Sequence, residues 1–203
     1  MVEAQERQRY ASNDVRYNSL RDDYKTPPEI YNKILEIFNR EYFDFDVACT
    51  EHNIPANTYF TKQENGLEQS WFGVCFCNPP WNKTKNFMEH AMNQPDAYTC
   101  FVVASDRFYV DYMQKCVINN PRAVFLVLPK KQGFIIPGEE DKVPVPSVGT
   151  SVIIICPTSE DAESVKDILN VRNLFNTTAF KGGGVWDKPL FVTKNIKGNE
   201  VEK

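Results

Sequence analysis

Histidine is scarce in this chain. Only His52 and His90 occur among 203 residues, and none of the six cysteines is paired at C-x-x-C spacing. Zinc sites need clusters of such ligands, so no metal centre is expected. Cys75, Cys77, Cys100 and Cys156 lie inside apolar, strand-like runs, where a free thiol behaves as a small hydrophobe. Cys75 and Cys77 share one face of a strand, which is not a disulfide geometry, and all six read as reduced structural residues. Long apolar runs are missing too. None approaches the roughly 20 residues that cross a bilayer, and Met1–Arg7 lacks the apolar centre of a signal peptide. A cytoplasmic protein with no membrane partner is the expectation. Positive charge is also lacking: 23 Lys and Arg against 27 Asp and Glu give a net charge of −4 and a pI near 5.3. A protein gripping a long stretch of nucleic acid nonspecifically is normally basic. The acidic average therefore argues for a small footprint, or for an oligomer, a homodimer being the simplest, that assembles a basic surface.

What is present reads as one domain, with 42% apolar and 25% charged residues. Residues 1–21 are polar and form an arm, 22–175 carry the domain, and 176–203 form a C-terminal extension. Thr26-Pro27-Pro28-Glu29 predicts a helix start, with Thr26 as N-cap, Pro27 at the first helical position and Glu29 completing a capping box. Ile30, Ile34, Ile37 and Phe38 continue it at helical spacing to about Arg40. Glu41 to Cys49 alternates into a strand with Asp46 near its carboxyl end. Thr50 to Gln63 reads as polar and irregular, and Asn65-Gly66 as a turn. Helices at about 84–93 and 108–119 then alternate with buried strands at 98–104 and 123–128, which implies a mostly parallel α/β sheet. Val148–Cys156 reads as an antiparallel edge strand, preceded by a long loop over 129–147, and a last helix spans about 160–173. Gly182-Gly183-Gly184 reads as a flexible joint rather than a phosphate cradle, before a short apolar end at 190–192. Asp106-Arg107 reads as a helix-start ion pair rather than a phosphate contact, Lys130-Lys131 as a solvated pair, and His52 as an ordinary surface residue.

The chemistry concentrates in Val74-Cys75-Phe76-Cys77-Asn78-Pro79-Pro80-Trp81. An apolar strand ends in two prolines that remove backbone donors and fix φ. Asn78 and Trp81 are thereby presented at the carboxyl end of a strand, the edge where open α/β sheets bind ligands. An adenine-like exocyclic amine is a poor nucleophile because its lone pair is delocalised into the ring. Two acceptors that take both its hydrogens draw that pair out of conjugation. The neutral amide oxygen of Asn78 and the carbonyl of Pro79 are suited to this. Trp81 can stack on a base or face a sulfonium cation. Alignment and electrostatics then supply most of the rate, with no catalytic His or Cys.

Several motifs in order give a resemblance. Asp23-Tyr24-Lys25-Thr26-Pro27-Pro28-Glu29, then Asp44-Phe45-Asp46-Val47-Ala48-Cys49, then Tyr59-Phe60-Thr61 with Gly66-Leu67 and Trp71, then Asn78-Pro79-Pro80-Trp81, resemble the phage-type DNA N6-adenine methyltransferases, over about Asp22 to Cys156. The resemblance implies a Rossmann-like methyltransferase sheet in a minimal version, S-adenosylmethionine as donor, and methyl transfer to adenine N6 in site-specific DNA methylation, as in restriction-modification. It implies catalytic roles for Asn78, Pro79, Pro80 and Trp81. Tyr24, Thr26, Asp46 and Ala48 would hold the donor, with Glu64 or Asn65 on its adenine amine. A phage origin would make the site of action the host cytoplasm. The chain departs from the family's pattern in having no Gly-x-Gly after the first strand, Asp46-Val47-Ala48-Cys49 for Asp-Pro-Cys, Glu64-Asn65 for Asp-Asp, and Trp81 for Tyr. The Asp46–Asn78 interval is short, so a strand of larger relatives is expected to be missing from it. RNA-adenine or protein-glutamine methylation is the nearest alternative chemistry. An inactive nucleic-acid-binding module on the same fold is the alternative of another class.

Overall fold

The computed structural model describes residues 24–50, 52–129, 133–135 and 149–182. The N-terminal arm, most of the 129–147 loop, Gly183-Gly184 and the apolar end at 190–192 lie outside the described residues. Seven strands form one sheet: β1 (Phe43–Asp46), β2 (Ala56–Tyr59), β3 (Gly73–Cys77), β4 (Ala97–Ala104), β5 (Ala123–Val127), β6 (Thr150–Ile155) and β7 (Phe180–Lys181), in the order β2-β1-β3-β4-β6-β5-β7. The first four neighbours run parallel. β6 is antiparallel to both β4 and β5, and β7 is antiparallel to β5.

The strands read as apolar runs because both faces of the sheet are covered. Val74, Phe76, Cys100, Val102, Val124, Leu126, Val152 and Ile154 pack on one side with α1 (Pro28–Ile37) and α4 (Ser159–Arg172). Cys75, Cys77, Phe101, Val103, Phe125, Ile153 and Ile155 pack on the other. That side is closed by α2 (Thr84–Ala91) and α3 (Asp111–Met113, prolonged by a π-helical turn over Gln114–Ile118). The alternation along each strand is the period of two that a pleated backbone imposes. All six cysteines are buried and free. Burial pushes the thiols of Cys75 and Cys156 up to about 12.

Four expectations change. The strand near 148–156 is antiparallel, but it is not at the edge: β6 lies between β4 and β5. Every one of its residues is buried, and such a strand needs a neighbour on each side. The antiparallel edge strand is instead β7. The segment read as irregular before Gln63, where a strand was expected to be missing, holds β2. As an edge strand it exposes Asn57 and Thr58, which hides the hydrophobic signal. Helix α1 starts one residue late: Pro27 occupies the N-cap with no side-chain cap, so the Thr26–Glu29 capping box does not form. The box forms at α4, between Thr158 and Asp161. Finally, Gly182 is packed rather than free. Its amide donates to Ala123 O at 2.8 Å, and a Cβ there would lie 2.0 Å from Val117 O.

Candidate active site

Three neighbouring parallel strands end side by side. The register pairs Asp46 of β1 with Phe76 of β3, and Cys77 of β3 with Phe101 of β4. One edge of the sheet therefore presents Asp46, then Asn78, then the Ala104–Arg107 segment that leaves β4. Gly66 seats the following turn against this edge: a Cβ there would come within 2.1 Å of Val47 O. The buried Trp71 indole fixes it, donating to Gly66 O at 2.9 Å.

The Asn78–Trp81 turn is rigid, and its polar groups divide into used and unused. Lys83 N–H donates to Pro80 O at 2.8 Å, and Thr84 Oγ1 donates to Trp81 O at 3.2 Å. The Pro79 carbonyl has no hydrogen-bond partner among the described residues. Asn78 Nδ2 donates to Tyr24 O at 3.2 Å, which fixes the amide plane and leaves Oδ1 without a donor among the described residues. Tyr24 is held in turn, because Lys25 and Ile135 exchange two backbone hydrogen bonds of 2.9 and 3.0 Å. Two unused acceptors thus lie on consecutive residues.

Among the described residues, Asn78 alone lines both of two hollows. The first, of about 500 Å³, is walled by Asn78, Pro79, Trp81, Val102, Arg107, Tyr112, Met113 and Phe134 among others. Arg107 lies 5.9 Å from the Trp81 ring centroid, over its face. The second, of about 340 Å³, is walled by Tyr24, Lys25, Thr26, Asp46, Ala48, Thr50, Asn53, Ile54, Phe76 and Asn78. Thr26 is 2% exposed and its Oγ1 has no partner among the described residues. Asp46 is 3% exposed. Burial raises its carboxyl to about 7, against the lowering effect of the Ala48 N–H and the Cys49 thiol, and no cation offsets it among the described residues.

The predicted site residues are therefore brought together in two groups, with Tyr24, Thr26, Asp46 and Ala48 on one side of Asn78 and Pro79 and Trp81 on the other. Glu64 and Asn65 line neither hollow. The exposed Glu64 carboxylate accepts from Thr61 N and Oγ1, which holds it below the usual carboxylate range, and Asn65 donates to Glu68 from a left-handed turn. Sequence reasoning missed Arg107, Tyr112 and Phe134. Arg107 has no ion pair among the described residues, so the expected helix-start pair with Asp106 does not form. Its only signal was a basic residue just past a strand's carboxyl end. His52 is exposed but stacked on Tyr59, with centroids 4.0 Å apart, which spacing alone does not reveal. Among the described residues no cluster of three or more His, Cys, Asp or Glu is placed to hold a metal ion. No helix among them is long and apolar enough to cross a membrane.

A family model for DNA N-6-adenine-methyltransferase (Dam) matches residues 14–177, well over half of the chain. The chain belongs to this family. The match extends past the expected limits at both ends, so α4 and the turn after it are part of the shared architecture. No curated protein sequence matches the chain. Membership implies an enzyme that methylates adenine N6 in DNA.

Proposed function

We propose that this protein transfers a methyl group from S-adenosylmethionine to the N6 amine of an adenine flipped out of DNA. In this reading the 340 Å³ hollow takes the donor and the 500 Å³ hollow takes the base. The supporting observation is the position of Asn78 in the wall of both, with its Oδ1 and the Pro79 carbonyl unused.

The donor side fits the donor's amino-acid end. A buried, unpartnered hydroxyl and a buried carboxylate without a cation are each costly. A ligand carrying both an ammonium and a carboxylate can satisfy the two together. Thr26 Oγ1 would bind polar atoms of that end and Asp46 its ammonium, while Ala48 and Tyr24 shape the cleft. Glu64 and Asn65 enter as contacts for the donor's adenine on the family resemblance alone. When bound, the donor supplies an electrophilic methyl on a sulfonium. The chain's own residues do the rest. Asn78 Oδ1 and Pro79 O accept the two N6 hydrogens, so the nitrogen lone pair points at the methyl rather than into the ring. Pro80 keeps the turn from relaxing. Trp81 stacks on the base with one ring face while Arg107 covers the other. The duplex loses stacking when the base leaves it, and this contact compensates.

Residues 22–175 form a Rossmann-like methyltransferase domain in this reading, with 1–21 as an arm. The extension from 176 begins by adding β7 to the sheet. A phage-type, site-specific enzyme acting in the cytoplasm, as a homodimer or with a small footprint on DNA, fits the acidic charge. The family match favours DNA adenine over RNA adenine and protein glutamine. The test offers DNA, RNA and protein in parallel to the purified protein with labelled donor. N6-methyladenine should form in DNA; label confined to RNA or protein would overturn the proposal. Absence of a thermal shift with the donor would favour an inactive DNA-binding module.

A further inference from the structure

The segment that leaves β4 holds an aromatic residue that neither hollow uses. Tyr109 is 80% exposed. Among the described residues, the other two strongly exposed aromatics, Tyr42 at 54% and Phe72 at 56%, directly precede β1 and β3 and so lie at the opposite edge of the sheet. Tyr109 alone among them sits at the edge of the candidate site. It stands two residues after Arg107, which lies over Trp81, and three before Tyr112, which lines the same hollow. A lone exposed aromatic is ordinary on a protein surface; what sets Tyr109 apart is its place between Arg107 and Tyr112, two residues of the base-side hollow. The surroundings suit a polyanion: Lys83, just after the Asn78–Trp81 turn, and Arg107 carry no ion pair among the described residues. An aromatic residue at the same strand-end edge as two cations without an ion pair among the described residues matches a base step and its flanking phosphates.

We propose that Tyr109 is a DNA-stacking residue that packs against the base pair bordering the flipped adenine and occupies the space the adenine vacates. Arg107 and Lys83 hold the adjoining phosphates. This inference rests on the adenine-methylation reading. Flipping costs unstacking and unpairing, and a side chain that fills the gap offsets part of that cost. Its contribution is therefore needed when the adenine starts paired in the stack, and largely dispensable when the pairing is already broken.

The experiment uses the full-length protein and two duplexes built on a site mapped from DNA of cells expressing it. In one, the target adenine faces thymine; in the other, it faces an abasic position. Tyr109→Ala should lower kcat/KM on the paired duplex roughly ten- to hundredfold. On the abasic-opposed duplex it should stay close to wild type, and Tyr109→Phe should recover the paired activity. Melting temperature and the thermal shift with S-adenosylmethionine should match wild type, since the ring is exposed and outside the donor hollow. Equal losses on both duplexes, or none on either, would overturn the stacking role while leaving the methylation reading intact. Wild-type protein that labels neither duplex would overturn both.

Discussion

The two edges of the sheet treat their polar groups in opposite ways. At the amino ends of β4 and β5 the groups that could be left over are paired. Thr158 and Asp161 cap α4 reciprocally, and Tyr98 Oη donates to Asp161 at 2.8 Å. Arg122 donates to the carbonyls of Met92 and Pro157, and Asn120 to Cys116 O. At the carboxyl ends of β1, β3 and β4, by contrast, Thr26 Oγ1, Ser105 Oγ, Asn78 Oδ1 and the Pro79 carbonyl lack partners among the described residues, and among these residues no cation faces the buried Asp46. Thr99, inside β4, is an exception on the paired side, its buried hydroxyl having no partner among the described residues. Two stretches with the same Thr-x-x-acid signature make the contrast sharpest. Thr158-x-x-Asp161 becomes a cap. Thr26-x-x-Glu29 does not, because Pro27 and Pro28 move the helix start and free the threonine hydroxyl toward the cleft. Unpaired groups cost stability, so an edge that collects them is best explained by what it binds.

Substitutions can break or sharpen that contrast. On the binding edge, Trp81→Ala should cost the most short of removing Asn78. We expect roughly ten- to hundredfold in kcat/KM with labelled donor and DNA, partial recovery with Trp81→Phe, and an unchanged thermal shift with the donor. Thr26→Val should weaken donor binding about tenfold, read by calorimetry, without lowering the melting temperature of the free protein, because the hydroxyl it removes is already unpaired. On the paired edge, Thr158→Ala should do the reverse. It should lose about 1 kcal/mol, seen as a melting temperature lower by about 2–4 °C, with activity per folded molecule unchanged.

Asp46 adds a pH test. Its carboxyl sits at about 7 in the fold against a usual 3.8. Between those values the folded protein holds a proton that the unfolded chain has released. Its stability contribution is thus complete below about 3.8 and declines as pH rises to about 7. Asp46→Asn should flatten that decline in thermal unfolding of the free protein. A cationic donor end favours the ionised carboxylate, so wild-type donor affinity should rise across the neutral range relative to Asp46→Asn.

Much of the binding edge was legible in the sequence. Asn78, Pro79, Pro80 and Trp81 follow a buried strand, and prolines dictate the local backbone wherever the strand lies. Asp46 was legible because an acid ends an alternating strand. The fold was less so. β6 reads like any β-branched strand, and its interior position depends on pairings between distant segments. β2 was hidden because an edge strand tolerates polar residues, and Thr26 was expected at the donor only through the family resemblance, because its Thr-x-x-Glu signature by itself reads as a helix cap. Arg107 was hidden because its partner, Trp81, is distant in sequence and meets it only across the strand ends.

The most direct test of the account is Asn78→Ala, read twice on one preparation. Asn78 borders both hollows, but in the proposed mechanism only its role toward the base is chemical. Methyl transfer to DNA should fall about a hundredfold or more, while the thermal shift with S-adenosylmethionine persists within a small margin. Near-normal methylation by Asn78→Ala, with the donor still bound, would contradict the central role given to that amide.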